Sequence, residues 1–386
     1  MAERRKDRKG RVLRDGESQR QNGTYMYRYT DVRGERKCVY AKTLEQLREK
    51  EQKIQQDLHD GINYAAGEIT VIDLLHRYIA TKTGVRYNTK VGYQFVLNLV
   101  SKEDFGYRMI RDIKPSDAKQ WFIKLHEDGR GYSTITSVRG VLRPAFEMAV
   151  EDDIIRRNPF SFKITDVVPN DSQTRQAISK EVKERFLTFI RESKHYSQYY
   201  DEIVILLGTG MRVSELYGLT KADIDFEARR IKVERQLTRT RHCEYYIEKP
   251  KTASGERYIP MTNEVYQAFQ SVVQRRKQPK VELLIDGHTG FLFLDKDGKP
   301  KVAMHLEHVM KRIVDRYNDA HEDQLPSITP HVLRHTFCTE MANSGIDLKS
   351  LQYLMGHSDV GVTLNVYTPA SYETAQAAMK KAMGSG

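Results

Sequence analysis

Arg212 stands in Gly208-Thr209-Gly210-Met211-Arg212-Val213-Ser214-Glu215, where the pattern closes one helix at glycines and opens another. A guanidinium there can fork two hydrogen bonds to a phosphate or a carboxylate, and Glu215, three residues on, is its natural ion-pair partner. The glycines fit neither a phosphate-binding loop nor a dinucleotide fingerprint: the glycine-lysine signature is missing, and the spacing does not complete G-x-G-x-x-G. Further on, His331-Val332-Leu333-Arg334 puts an imidazole and a guanidinium at i and i+3 near a helix N-terminus, where the dipole favours an anion such as phosphate. His331 and His335 have the i, i+4 spacing of a zinc pair, but no H-E-x-x-H glutamate or third ligand accompanies them, and no metal is expected. His357 follows a helix stop at Gly356, and Tyr367 stands ten residues later; taken singly, one reads as a cap and the other as a packing residue. Asp295-Lys296-Asp297-Gly298 lacks the remaining ligands of a calcium loop and reads as a turn between Phe291-Leu292-Phe293 and Lys301-Val302.

These residues need a scaffold, and the pattern supplies one from about Gln176 onwards, mixing helices with a short sheet. Ile231, Val233, Arg235 and Leu237 alternate as a strand does. Tyr245 to Lys249 is expected to face Glu256 to Pro260 across Pro250-Lys251-Thr252-Ala253-Ser254-Gly255, a hairpin tipped by a lysine. Thr329 caps a helix with Pro330 at its first position, and Gly356 ends the helix carrying Leu351, Leu354 and Met355. Upstream lies a helical unit. Val71, Leu74, Leu75, Tyr78 and Ile79 form one stripe, stopped by Gly84; Ala118, Trp121, Phe122 and Leu125 form a second; Ile135 to Ala149 forms a third, with Pro144 expected to kink it. Asn158-Pro159 closes that unit, and Val168 to Gln173 reads as a linker.

The chain has 386 residues, of which 30% are charged, enough for two or three cored domains, and its net charge of +11 points to a polyanionic partner. Every apolar run falls short of the roughly 20 residues a spanning helix needs. The N-terminus has no signal-peptide core, and Cys38, Cys243 and Cys338 form no disulfide framework or C-x-x-C pair, so a reduced cytoplasmic protein is expected, with no membrane. Much of the positive charge lies at the start: Arg4, Arg5, Lys6, Arg8, Lys9, Arg11 and Arg14 form an arm expected to be mobile alone. Tyr25, Tyr27 and Tyr29 then alternate along a strand, Asp31 to Gly34 turns, Glu35 to Tyr40 returns, and Thr43 with Gln46 opens a helix bearing Leu44, Leu47, Ile54 and Leu58. A narrow basic sheet suits double-stranded DNA, with Arg28, Arg33, Arg36 and Lys37 as its expected contacts.

Taken in order, Arg212, Lys251, His331-x-x-Arg334, His357 and Tyr367 resemble the catalytic set of the tyrosine recombinase, or phage integrase, family. Gly16-Glu17-Ser18-Gln19-Arg20 and Tyr25-x-Tyr27-x-Tyr29 are similar to the arm-binding domain of conjugative-transposon integrases, so the resemblance spans the chain. It implies a multidomain fold: a small N-terminal β-sheet plus helix (residues 1–66), an all-α core-binding domain (67–165) and a mixed α/β catalytic domain (175–386). It also implies a site-specific recombinase that cleaves and rejoins DNA through a 3′-phosphotyrosyl intermediate at Tyr367. Arg212 and Arg334 would clamp the phosphate, with Glu215 behind Arg212. His357 would donate a hydrogen bond, His331 would assist proton transfer, and Lys251 would protonate the leaving 5′-hydroxyl. No ATP, metal or other cofactor is implied. The implied partners are core and arm attachment sites, a homotetramer on two duplexes, with the alanine-rich segment Glu373 to Met383 docking on a neighbouring protomer, and an excisionase. Lys249 stays an alternative to Lys251, and Tyr372 to Tyr367. A DNA-binding regulator that keeps the fold, and a nick-and-reseal topoisomerase, are the competing readings.

Overall fold

The computed structural model describes residues 5–31, 34–59, 69–172, 176–250 and 253–359, with the single positions 361, 364 and 376. Lys251, Tyr367, Tyr372 and Arg33, and the segment Glu373 to Met383 apart from position 376, lie outside the described residues. The chain divides into two compact units, residues 1–173 and 174–386.

The first unit has two apolar cores. In the N-terminal one, β1 (Glu17–Gln19), β2 (Tyr25–Thr30) and β3 (Arg36–Ala41) form an antiparallel sheet in chain order, covered by α1 (Leu44–His59). Tyr25, Tyr27 and Tyr29 share the buried face with Leu44, Leu47 and Ile54, as the alternation requires. The basic arm is not free from residue 5 onwards, contrary to expectation. Asp7 is buried and accepts from Arg11 Nε (2.9 Å) and from the Tyr25 hydroxyl (2.9 Å), while Lys6 bridges to Val12. A buried carboxylate with these donors fixes the turn that the charge run alone conceals.

The second core is helical: α2 (Val71–Ala80), α3 (Tyr87–Val100), α4 (Pro115–Glu127) and α5 (Tyr132–Glu151). Thr70 and Asp73 cap α2 reciprocally. Helix α3 has no counterpart among the three expected stripes. Its buried residues, Val96, Leu97, Leu99 and Val100, crowd its last turn, so no period runs along it. Helix α5 continues through Pro144. Val168 is buried in this core rather than part of a linker, and Asp171 accepts from the Tyr132 backbone amide at 3.0 Å.

In the second unit, one core gathers α6 (Lys180–Glu192), α7 (Tyr200–Thr209), α8 (Val213–Tyr217), α9 (Asn263–Arg275), α10 (Ala303–Ala320), and the start of α11 (Pro330–Asn343). The end of α11 packs with α12 (Leu348–Met355) in a smaller cluster. The strands depart from the expected hairpin. β4 (Ile224–Asp225), β5 (Arg230–Val233) and β8 (Arg257–Pro260) form one sheet in the order β4-β5-β8, and β6 (Gln236–Arg239) pairs with β7 (Tyr245–Glu248) in another. Tyr245 to Glu248 therefore faces Gln236 to Arg239, not Arg257 to Pro260. The result is a nested ribbon. Between its two ladders, Glu234 and Arg235 join β5 to β6 on one arm, and the chain from 249 to 256 joins β7 to β8 on the other. Arg235 pins the short arm through Asp223 (2.5 Å) and the Gly218 carbonyl (3.3 Å). Phe291 to Val302 turns as expected, with Asp295 Oδ1 accepting from the amides of Asp297 and Lys299.

Candidate active site

Four segments of the second unit are joined through Glu215, Arg257 and Arg334. Helix α7 ends at Gly210, whose φ of +62° lies in the left-handed region, and the chain turns at once into α8. A side chain at Gly210 would place its Cβ 2.3 Å from Phe337 Cδ1, so only glycine admits α11 this close. Arg212 precedes α8, and Glu215 reaches back to accept from the Arg212 amide (2.9 Å) and from its Nη1 (2.8 Å). From β8, Arg257 donates to the same carboxylate through Nη2 (2.9 Å) and Nη1 (3.4 Å). Arg334, one turn into α11, donates to the carbonyls of Gly210 and Met355, each at 2.6 Å. The last turn of α12 thus meets two cations, because Arg257 Nε donates to the adjacent Leu354 carbonyl at 2.7 Å. Positive charge is favoured at a helix C-terminus. Gly356, also left-handed, then turns the chain into His357, whose backbone exchanges hydrogen bonds with Gln352.

Three guanidiniums surround one carboxylate, and the imbalance is visible in the titration of the group. Burial acts to raise the Glu215 carboxyl, but Arg257, Arg212 and Arg334 outweigh it and hold it below its usual range. Burial, then repulsion from Arg212, pulls Arg334 down to about 9, still a cation at pH 7. Burial with repulsion from Arg334, Arg212 and Arg257 pulls His357 down to about 4, so its imidazole is neutral at pH 7 and keeps one N–H to donate. The repulsion that bears on Arg334 and His357 is relieved by an anion. Arg212 keeps a third of its side-chain surface exposed, Arg334 is nine-tenths buried, and His331 is exposed on the first turn of α11. Thr329 Oγ1 caps that helix at the Val332 amide, which fixes where its N-terminus lies.

Of the sequence-derived site, Arg212, Glu215, Arg334 and His357 come together, with His331 three residues before Arg334 on α11. Lys249 lies just after β7. Arg257 was missed. Its signal is its phase, since Arg257 and Ile259 are buried on β8 while Tyr258 and Pro260 are exposed. No group of three or more His, Cys, Asp or Glu among the described residues has metal-site geometry.

On the N-terminal sheet, Arg28 pairs with Cys38 and Thr30 with Arg36, so Arg28 and Arg36 share the exposed face. Lys37 pairs with Tyr29 on the opposite face and is tied to Glu35 at 2.5 Å, so it does not join them. Arg20, over the ring of the exposed Tyr40, does. A cleft of about 1500 Å³ on the second unit is lined by Arg276, Lys277, Lys280, Lys296, Lys299 and Arg312, among others, and holds none of the site residues above. Among the described residues no helix is long and apolar enough to cross a membrane.

Residues 176–374 match the model of the phage integrase family, and residues 1–58 match that of the DNA-binding domain of Tn916 integrase. The chain is 44% identical to the transposase from transposon Tn916 of Enterococcus faecalis, over 99% of its own length and 97% of that protein's. It is also 44% identical to the Tn1549 transposon integrase solved in complex with transposon right-end DNA, with a TM-score of 0.78 over 81% of this chain and 99% of that one. A lambda integrase tetramer bound to a Holliday junction, 16% identical, shares the fold at a TM-score of 0.56 over 92% of this chain and 96% of that one.

Proposed function

The chain belongs to the phage integrase family of tyrosine recombinases, enzymes that cleave and rejoin DNA, and from that premise we propose that its own residues integrate and excise a mobile element of the Tn916 kind as follows. The observation that carries the reading is the grouping of Arg212, Arg334 and His357 around Glu215, a cationic pocket in which a scissile phosphate is the fitting anion.

The phenol oxygen of Tyr367 attacks the phosphorus in line, the bond to the 5′-oxygen breaks, and Lys251 gives that oxygen its proton. A phenol with an ordinary pKa of about 10 is about one part in a thousand ionised at pH 7, so the cations beside the phosphate and proton transfer assisted by His331 carry the activation. Arg212 and Arg334 hold the non-bridging oxygens as charge builds there, and His357 adds a neutral donor. A 5′-hydroxyl from the partner duplex then attacks the phosphotyrosine and restores the phenol. Each step exchanges one phosphate ester for another, so the chemistry needs neither ATP nor a metal.

Complete exchange between two duplexes makes four cuts, each using one tyrosine, which four copies supply. Since no step releases much energy, direction must come from elsewhere, and an accessory excisionase fits that need. Residues 1–66 hold arm sites, with Arg28 and Arg36 on the phosphates, while 67–165 and 175–386 hold the core site; the basic cleft supports backbone contact as well.

The test is incubation of wild type and Tyr367→Phe with a nicked duplex carrying an attachment site, in EDTA and without ATP. A denaturation-resistant protein–DNA adduct is expected in wild type alone. An adduct in both moves the nucleophile, with Tyr372 next. No adduct in either, despite salt-sensitive binding, favours a regulator.

A further inference from the structure

The Arg257 side chain makes four hydrogen bonds, yet it is 0% exposed and cannot reach a bound phosphate. Its bonds run to three segments: Glu215 behind Arg212, the Leu354 carbonyl at the end of α12, and the Gly255 carbonyl at 3.1 Å. Gly255 closes the base of the 249–256 connection. A Cβ there would stand 2.2 Å from Pro250 Cβ, so the two ends of the segment touch, and Lys251 follows Pro250 directly in the chain. Beyond that base the ribbon offers no ladder, because β7 pairs with β6 and β8 with β5. The guanidinium of Arg257 therefore ties the pinched base to the arginine cluster.

We propose that Arg257 is a positioning residue for leaving-group protonation: by holding the Pro250–Gly255 base against Glu215 and the last turn of α12, it sets where the lysine of that connection meets the scissile phosphate. The proposal rests on Lys251 as the general acid. It assigns Arg257 no contact with DNA and no proton transfer of its own.

A substrate that needs no acid separates positioning from general structural damage. Replacing the bridging 5′-oxygen of the scissile phosphate by sulfur makes the leaving group a thiolate, which departs without being protonated because a thiol is far more acidic than an alcohol. Full-length wild type, Lys251→Ala, Arg257→Met and Arg257→Lys are compared on a suicide attachment-site duplex with oxygen or sulfur at that position, with thermal melts of each. We expect Arg257→Met to cleave the oxygen substrate at least about a hundredfold slower, in the range a general acid supplies. On the sulfur substrate it should return to within about threefold of wild type, as Lys251→Ala does, with Arg257→Lys intermediate. If Arg257→Met does not fold, Arg257→Lys carries the comparison. Equal slowing on both substrates, with Lys251→Ala rescued, overturns the positioning role and leaves Lys251 as the acid. Unimpaired cleavage of the oxygen substrate by either Arg257 variant also overturns it. Failure of sulfur to rescue Lys251→Ala removes the acid assignment and this proposal with it.

Discussion

The Glu215 carboxylate and the Arg257 guanidinium pair through hydrogen bonds of 2.9 and 3.4 Å with neither side chain reaching solvent, at 2% and 0% exposure. Such a pair is costly to break from one side, since the surviving charge stays buried. Glu215→Ala leaves Arg257 in that position and Arg212 without its anchor. The expected loss of stability is about 3–5 kcal/mol, read from urea unfolding. A loss under about 1 kcal/mol, the scale of an exposed pair, would contradict the burial.

Gly210→Ala tests how α7, α11 and the Arg334 guanidinium are brought together. The new methyl meets Phe337 at 2.3 Å in a left-handed backbone, whereas at Gly84, also left-handed at φ +69°, a methyl meets nothing within 4 Å. Backbone strain alone costs about 1–2 kcal/mol, and overpacking adds about 1–3. Gly84→Ala should thus show only the smaller loss, and Gly210→Ala the sum together with slow DNA cleavage. Equal melting shifts in the two variants would argue against the contact.

His357 makes the site sensitive to acid. Its pKa of about 4 in the free protein lies below the ordinary 6.5, so between those values the unfolded chain binds more protons than the folded one. The stability it contributes is full above 6.5 and lost as pH falls towards 4. A bound phosphate offsets the repulsion from the arginines and moves the group back up, so DNA binding should take up protons at about pH 5. Calorimetry in buffers of different ionisation enthalpy should find up to one proton fewer for His357→Asn. Identical uptake in the two proteins would place the titrating group elsewhere.

The N-terminal sheet allows a sharper test than deletion. Arg28 and Arg36 share its exposed face, and Lys37 does not. The double change Arg28→Ala with Arg36→Ala should weaken arm-site binding and flatten its salt dependence by about two phosphate contacts, while Lys37→Ala leaves both nearly as they were. A flatter salt dependence for Lys37→Ala than for the pair would assign the opposite face to DNA.

Much of the site was legible because its parts are local. Arg212 with Glu215, and His331 with Arg334, are each fixed by i, i+3 spacing, and Thr329 and Gly356 mark where their elements start and stop. Arg257 was not, because Glu215 lies 42 positions before it and Leu354 97 after it, and no local period reports such a partner. Arg235 and Arg257 both take the buried phase of a strand, which is the trace they leave in sequence. The alternation from Ile231 to Leu237 gave the right faces and the wrong ladder: burial continues through Arg235, but pairing changes partner there. Helix α3 escaped because its buried residues, Val96, Leu97, Leu99 and Val100, all lie at its C-terminal end, so no apolar stripe runs along it.

The nested ribbon also separates two properties that a simple hairpin would bind together. In a single ladder, adding one residue to the turn shifts every pair or flips side chains to the other face. Here the registers of β5 with β8 and β6 with β7 are each closed by their own pairs, and the 249–256 segment joins β7 to β8 in the sequence between them. Its length can change by a residue without sliding either ladder, so the reach of the segment can be retuned while the frame that holds the arginines keeps its register.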